Sequence, residues 1–127
     1  MIVMDASAAL TALLNDGQAR KALAEQRVWA PEVIDVEVAN GLRRCLGEGL
    51  LDDDAAHAAM AAWRGLGVRR VSGLGLLGRV WDLREVLDAG AAAYVALAEA
   101  LGCPVVTVDA TLGAVADVQC PVMVVAN

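Results

Sequence analysis

Phenylalanine is absent from this 127-residue chain, and aromatic residues make up only 3% of it. Large flat side chains therefore cannot build its interior. With 58% hydrophobic residues, alanine, leucine and valine have to fill the core of what is expected to be one domain, residues 1–127. Histidine occurs once, as His57, and cysteine only as Cys45, Cys103 and Cys120. An odd number of thiols with no short pairing spacing predicts reduced core cysteines in place of a disulfide framework. Too few clustered nitrogen and sulfur ligands exist for zinc, and His57, with no partner in sequence, is expected to be a solvated helix residue.

Basic side chains are scarce as well: ten lysines and arginines against sixteen acids give a formal net charge of −6. That excludes a broad basic surface that neutralises many phosphates. For a polyanionic substrate, metal ions or a local basic patch would have to offset the charge. No uncharged run reaches the ~18 residues of a spanning helix, and Asp5 interrupts the first apolar stretch with no basic residue before it, unlike a targeting segment. A soluble, cytoplasmic protein with no membrane association is expected. Its surplus of apolar residues implies surface reserved for another subunit or a partner. Internal repeats, linkers and low-complexity tracts are missing beyond simple alanine richness.

What is present is an alternation of apolar runs and helical patterns. Strands are expected at residues 2–4, 28–30, 68–71, 105–108 and 122–125, and helices over 6–14, 18–25, 32–48, 52–66, 76–86 and 89–101, with a short helical turn at 111–116. Pro31 suits the first position of the third helix, on which Ile34, Val38, Leu42 and Leu46 form a four-residue stripe for burial. Glu37 and Asn40 share a neighbouring face. Asp88 is placed to cap the helix that follows it and Gly102 to end that helix. Continuously apolar strands alternating with helices predict an α/β fold with a short central parallel β-sheet flanked by α-helices.

The chemistry-bearing residues fall at the ends of these elements. Asp5 follows the first strand in Met1-Ile-Val-Met-Asp5-Ala-Ser7 and Asp109 ends Val105-Val-Thr107-Val-Asp109, the position where open α/β sheets carry their sites. A charge directly after a buried strand needs a partner or a metal. With Glu37, these three acids offer oxygen ligands for a hard cation. Two other motifs are weaker. Gly73-Leu-Gly75-Leu-Leu-Gly78 matches the dinucleotide fingerprint, but the run before it is short and charged, so a loop is expected. Asp5 with Ser7 resembles the nucleophile loop of aspartate-based phosphatases, but Ser7 stands where those enzymes keep a second aspartate.

The chain resembles the PIN-domain ribonucleases that serve as the VapC toxin of bacterial VapBC toxin–antitoxin pairs. The resemblance rests on Met1-Ile-Val-Met-Asp5-Ala-Ser7-Ala-Ala-Leu10, on residues 30–44 around Glu37-Val-Ala-Asn40, on Trp81-Asp-Leu-Arg84, on Ala93-Tyr94-Val-Ala-Leu-Ala-Glu99, and on Val106-Thr107-Val-Asp109. It implies a PIN-like fold and a homodimer with endoribonuclease activity dependent on Mg²⁺ or Mn²⁺. It further implies an RNA substrate and a cognate VapB-type antitoxin. By the same resemblance Asp5, Glu37 and Asp109 are the catalytic metal ligands, and Ser7, Asn40 and Thr107 support them. Arg43, Arg44 and Arg84 are candidates for RNA or partner contacts, with a solvated helix face as the alternative for each.

One departure stands out. The family has an aspartate three residues before the tyrosine that Tyr94 matches, and this chain has Ala91 there; Gly90 stands where a tyrosine is common. Asp88, one turn earlier, is available either to cap the helix or to reach the site. A degenerate toxin, an introduced substitution and a rearranged site all remain compatible with Ala91. The expectation is a weakened nuclease, with a catalytically degenerate PIN-fold module that binds antitoxin or RNA as the alternative.

Overall fold

The computed structural model describes residues 1–127. Five short strands, β1 (Ile2–Met4), β2 (Val28–Pro31), β3 (Arg69–Val71), β4 (Val105–Thr107) and β5 (Val122–Val124), form one sheet in the order β3-β2-β1-β4-β5. All four pairings are parallel. Six helices connect and cover them: α1 (Ala6–Leu14), α2 (Gln18–Glu25), α3 (Val33–Gly47), α4 (Asp53–Arg64), α5 (Leu77–Asp82) and α6 (Ala89–Leu101). This is the expected α/β architecture of a PIN-like domain. No helix is long and apolar enough to cross a membrane.

A continuous core of 28 buried residues runs through both faces of the sheet. Val3, Met4, Val105 and Val106 are fully enclosed, each worth roughly 1.5–3 kcal/mol of apolar burial, which is why β1 and β4 read as unbroken apolar runs. Alanine supplies the rest. Every residue of α6 from Ala92 to Ala98 is buried, the signature of a helix that is apolar all round, and its small side chains let it pack against β1, β2 and β4. On α3, Ile34, Val38 and Leu42 are buried, and Leu46 is only partly so.

Three local expectations need revision. Pro31 closes β2 and does not open a helix; the sheet bypasses its missing N–H by taking the Glu32 N–H to Val71 O at 2.9 Å, and α3 begins at Val33. The glycine run is a 3₁₀ turn (Gly73–Leu76) in place of an open loop. The helix expected over 76–86 is confined to Leu77–Asp82 and then unwinds into i→i+3 bonds through Val86. There the Arg84 guanidinium takes the carbonyl of Trp81 at 2.8 Å and stacks over its ring, supplying the acceptor with a side-chain donor where helix would have continued.

Because β1 is flanked by β2 on one side and β4 on the other, chain connections leave it in opposite directions. The crevice outside the carboxyl ends of β1 and β4 is the place such sheets leave open for ligands. A seam beneath it depends on Gly41, where an added Cβ would collide with the Leu10 side chain. The missing side chain lets α1 and α3 approach closely, and those two helices carry Ser7 and Glu37.

Candidate active site

Asp5 ends β1 and caps α1. Its Oδ1 accepts hydrogen bonds from Ser7 Oγ at 2.6 Å and from the Ala8 N–H at 2.9 Å, a side-chain cap that satisfies an orphan helix donor. Oδ2 has no protein partner. Ser7 in turn accepts the Val108 N–H at 3.2 Å and lies 3.5 Å from Thr107 Oγ1. Thr107, fully buried, accepts the Asp109 N–H at 3.0 Å. These hydroxyls stitch the end of β1 to the end of β4.

Glu37 comes from α3 and is fixed by a residue of α6. Tyr94, buried on α6, donates its hydroxyl to Glu37 Oε1 at 2.5 Å. Burial, and then the Glu37 carboxylate, push the pKa of that hydroxyl well above its usual value, so Tyr94 is a neutral donor at any physiological pH. Oε2 is left free. A Cβ at Gly90 would lie 2.9 Å from this oxygen and 3.4 Å from Asp88 Oδ1, so the bare backbone at that position makes room for both carboxylates. Asp88 caps α6 through the Ala91 N–H at 2.8 Å.

Asp5, Glu37 and Asp88 line one cleft of about 320 Å³. Ser7, Asn40, Arg44, Ala91 and Tyr94 share its walls. Asn40 makes no hydrogen bond to these carboxylates; its Oδ1 accepts both the Nε and Nη2 protons of Arg43 at 3.1 and 3.0 Å. Asp109 lies beside the cleft and not in its lining. Its Oδ1 is taken by the Thr111 hydroxyl at 2.7 Å and the Thr111 N–H at 2.9 Å, which hold its carboxyl below the usual aspartate range. Arg84 is held at α5, away from these walls.

No three carboxylate, histidine or cysteine groups converge closely enough to grip a cation alone. The donor set nonetheless fits a hard ion that keeps much of its water. Magnesium is commonly held by one or two carboxylates together with substrate phosphate, and Asp5 and Glu37, two carboxylates that line one cleft, each keep one oxygen unbonded. Sequence reasoning missed the Tyr94 contact. The available signal was that a lone tyrosine inside an apolar helix needs an acceptor for its hydroxyl.

Comparison with known proteins gives this geometry a context. No family model matches the chain. Ribonuclease VapC9 of Mycobacterium tuberculosis is 49% identical over 125 residues, covering 98% of both chains. Ribonuclease VapC12 of the same organism is 35% identical over 88% of this chain and 89% of its own. Among solved structures, VapC20 of Mycobacterium tuberculosis, described as a sarcin–ricin loop cleaving toxin, superposes with a TM-score of 0.66 over 91% of this chain and 95% of its own. At 21% identity it speaks for the fold alone. The near full-length match to VapC9 decides the affiliation: the chain belongs to the VapC family of PIN-domain ribonucleases.

Proposed function

We propose that residues 1–127 act as a single PIN-like domain, a cytoplasmic endoribonuclease toxin that cuts RNA with Mg²⁺ or Mn²⁺ and works at reduced rate. The observation that carries this reading is the pair of carboxylates, Asp5 and Glu37, that line one cleft, each fixed through one oxygen by its own partners and each with the other oxygen unbonded. Asp109, at the end of the neighbouring strand, is the third ligand in this reading. A bound divalent ion would activate water and offset charge at the phosphodiester. The protein's own part is orientation. Ser7 and the Ala8 N–H fix Asp5, Tyr94 fixes Glu37, and Thr107 holds the backbone that delivers Asp109.

The reduced rate follows from Ala91, which lines the cleft with a methyl group where the family has a carboxylate. The same feature supports a second reading, a PIN-fold module that binds its antitoxin without cutting. Partners under either reading are a cognate VapB-type antitoxin and a second copy of the chain. The exposed Leu74, Leu77 and Trp81, on α5 and the turn before it, supply apolar surface of the kind such contacts cover.

The test is cleavage of RNA by this protein with Mn²⁺ or Mg²⁺, paired with calorimetric titration of the metal. Metal-dependent cleavage abolished by EDTA supports the nuclease. Cleavage that persists in excess EDTA sinks the metal mechanism, and antitoxin binding without cleavage at any metal concentration selects the binding module.

A further inference from the structure

We propose that Arg44 is the phosphate anchor of this cleft, gripping an RNA phosphate that flanks the scissile one; the inference rests on the RNA-cleaving reading above. An acidic cleft in a chain of net charge −6 has to admit a polyanion, so something local must oppose the repulsion. Arg44 is the only basic side chain among the ten in the chain that lines the cleft. Others are already engaged. Arg70 is paired with Asp35 and Arg79 with Glu99, Arg43 is forked onto Asn40, and Arg84 is held at Trp81. Arg44 makes no side-chain hydrogen bond and belongs to neither of the two ion pairs.

Its position defines its task. Glu37, Asn40 and Arg44 recur at spacings of three and four along α3, so they form one stripe facing the cleft. Arg44 lies about 10.5 Å along the helix axis from Glu37, too far to act on the atoms that Glu37 serves. A guanidinium presents a planar fork that matches two phosphate oxygens. Contacts of that kind position a nucleic acid without reading its sequence. The competing explanation is that Arg44, in the last turn of α3, merely complements the helix dipole. That role would appear in thermal stability and not in RNA binding.

The experiment measures binding of a fluorescein-labelled, short mixed-sequence single-stranded RNA by anisotropy across a salt series with Mg²⁺, in the cleavage-impaired Asp5→Asn protein. Adding Arg44→Gln should weaken binding about tenfold at low salt and reduce the salt slope by about 0.7, the value of one single-strand phosphate contact. Arg44→Lys should restore the slope and part of the affinity. In the protein with Asp5 intact, Arg44→Gln should raise KM with kcat unchanged. Equal affinity and slope with and without Arg44 overturn this inference, and a lowered thermal midpoint alone then assigns Arg44 to the helix end. If the protein with Arg44 intact neither binds nor cuts the RNA, the RNA-cleaving reading fails first and the inference falls with it.

Discussion

Two groups of acids in this protein are treated in opposite ways. Asp35 and Glu99 each receive a forked arginine: Arg70 reaches Asp35 at 2.8 Å through both Nε and Nη2, and Arg79 reaches Glu99 at 2.7 and 3.1 Å. Both carboxyls sit below their usual pKa range, chiefly because of those arginine hydrogen bonds. Asp5, Glu37 and Asp88 share a cleft and none of them is in an ion pair; hydroxyl and backbone N–H groups orient them without cancelling their charge. The paired acids have their charge offset inside the fold; the unpaired ones gathered in a cleft do not, which is the arrangement that marks a candidate functional site.

Exchanging one acid from each group gives the sharpest test. Asp5→Asn keeps the cap acceptor for the Ala8 N–H, so the fold should persist, while cleavage should fall by on the order of 10²–10³, the scale of a lost preorganised electrostatic group. Asp35→Asn should do the reverse, lowering stability by about 1 kcal/mol, modest because its pair with Arg70 is partly solvated, and leaving cleavage intact. Equal losses of activity in the two variants, measured beside their thermal midpoints, would erase the distinction between the groups.

Ala91 permits the comparison to be strengthened. A carboxylate added there would join the unpaired group on a wall that is only partly buried, so Ala91→Asp should enter without overpacking and raise cleavage by on the order of 10². Calorimetry should show tighter Mn²⁺ binding in step. Asp88 supplies the contrary outcome: unchanged cleavage in Ala91→Asp together with loss of cleavage in Asp88→Ala would mean that Asp88 has taken over the missing role. Its carboxylate already shares the cleft while capping α6.

Much of this layout was legible in the sequence because it rests on local rules. Asp88 caps α6 by short-range geometry, Gly102 ends that helix in the left-handed region, and the apolar strands announce a buried parallel sheet. What escaped depends on contacts between distant segments. Glu37 and Tyr94 are 57 residues apart, and no periodicity links them. Gly41 is a close-approach point for Leu10 on another helix, which no pattern within α3 marks.

That close approach yields a prediction of intermediate size, because it joins the two helices that carry Ser7 and Glu37. Gly41→Ala would force the Leu10 side chain aside and push α1 from α3, an overpacking cost of about 1–3 kcal/mol. Cleavage should fall together with the thermal midpoint, since Ser7 and Glu37 ride on the two helices being separated. Gly47→Ala is the control: the same chemical change meets no atom within 4 Å and should leave both quantities unharmed. An unchanged midpoint in Gly41→Ala would show that the Leu10 contact relaxes freely.

The smallest effect belongs to the paired acids and depends on pH. Glu99 accepts two bonds from Arg79 and one from the Gln119 N–H at 2.8 Å, and its folded pKa is lowered, first by Arg79. A depressed carboxyl stabilises the fold above its unfolded pKa, and that contribution disappears as the pH falls through the folded value. Glu99→Gln should therefore cost about 1 kcal/mol at neutral pH, modest because the pair is partly solvated. The gap between variant and parent should close in acid below the ordinary glutamate range. Chemical denaturation of both proteins across that range is the measurement. A gap that stays constant into acid would mean that Glu99 contributes through packing and not through charge, and the paired group would lose the electrostatic character that sets it apart from the cleft.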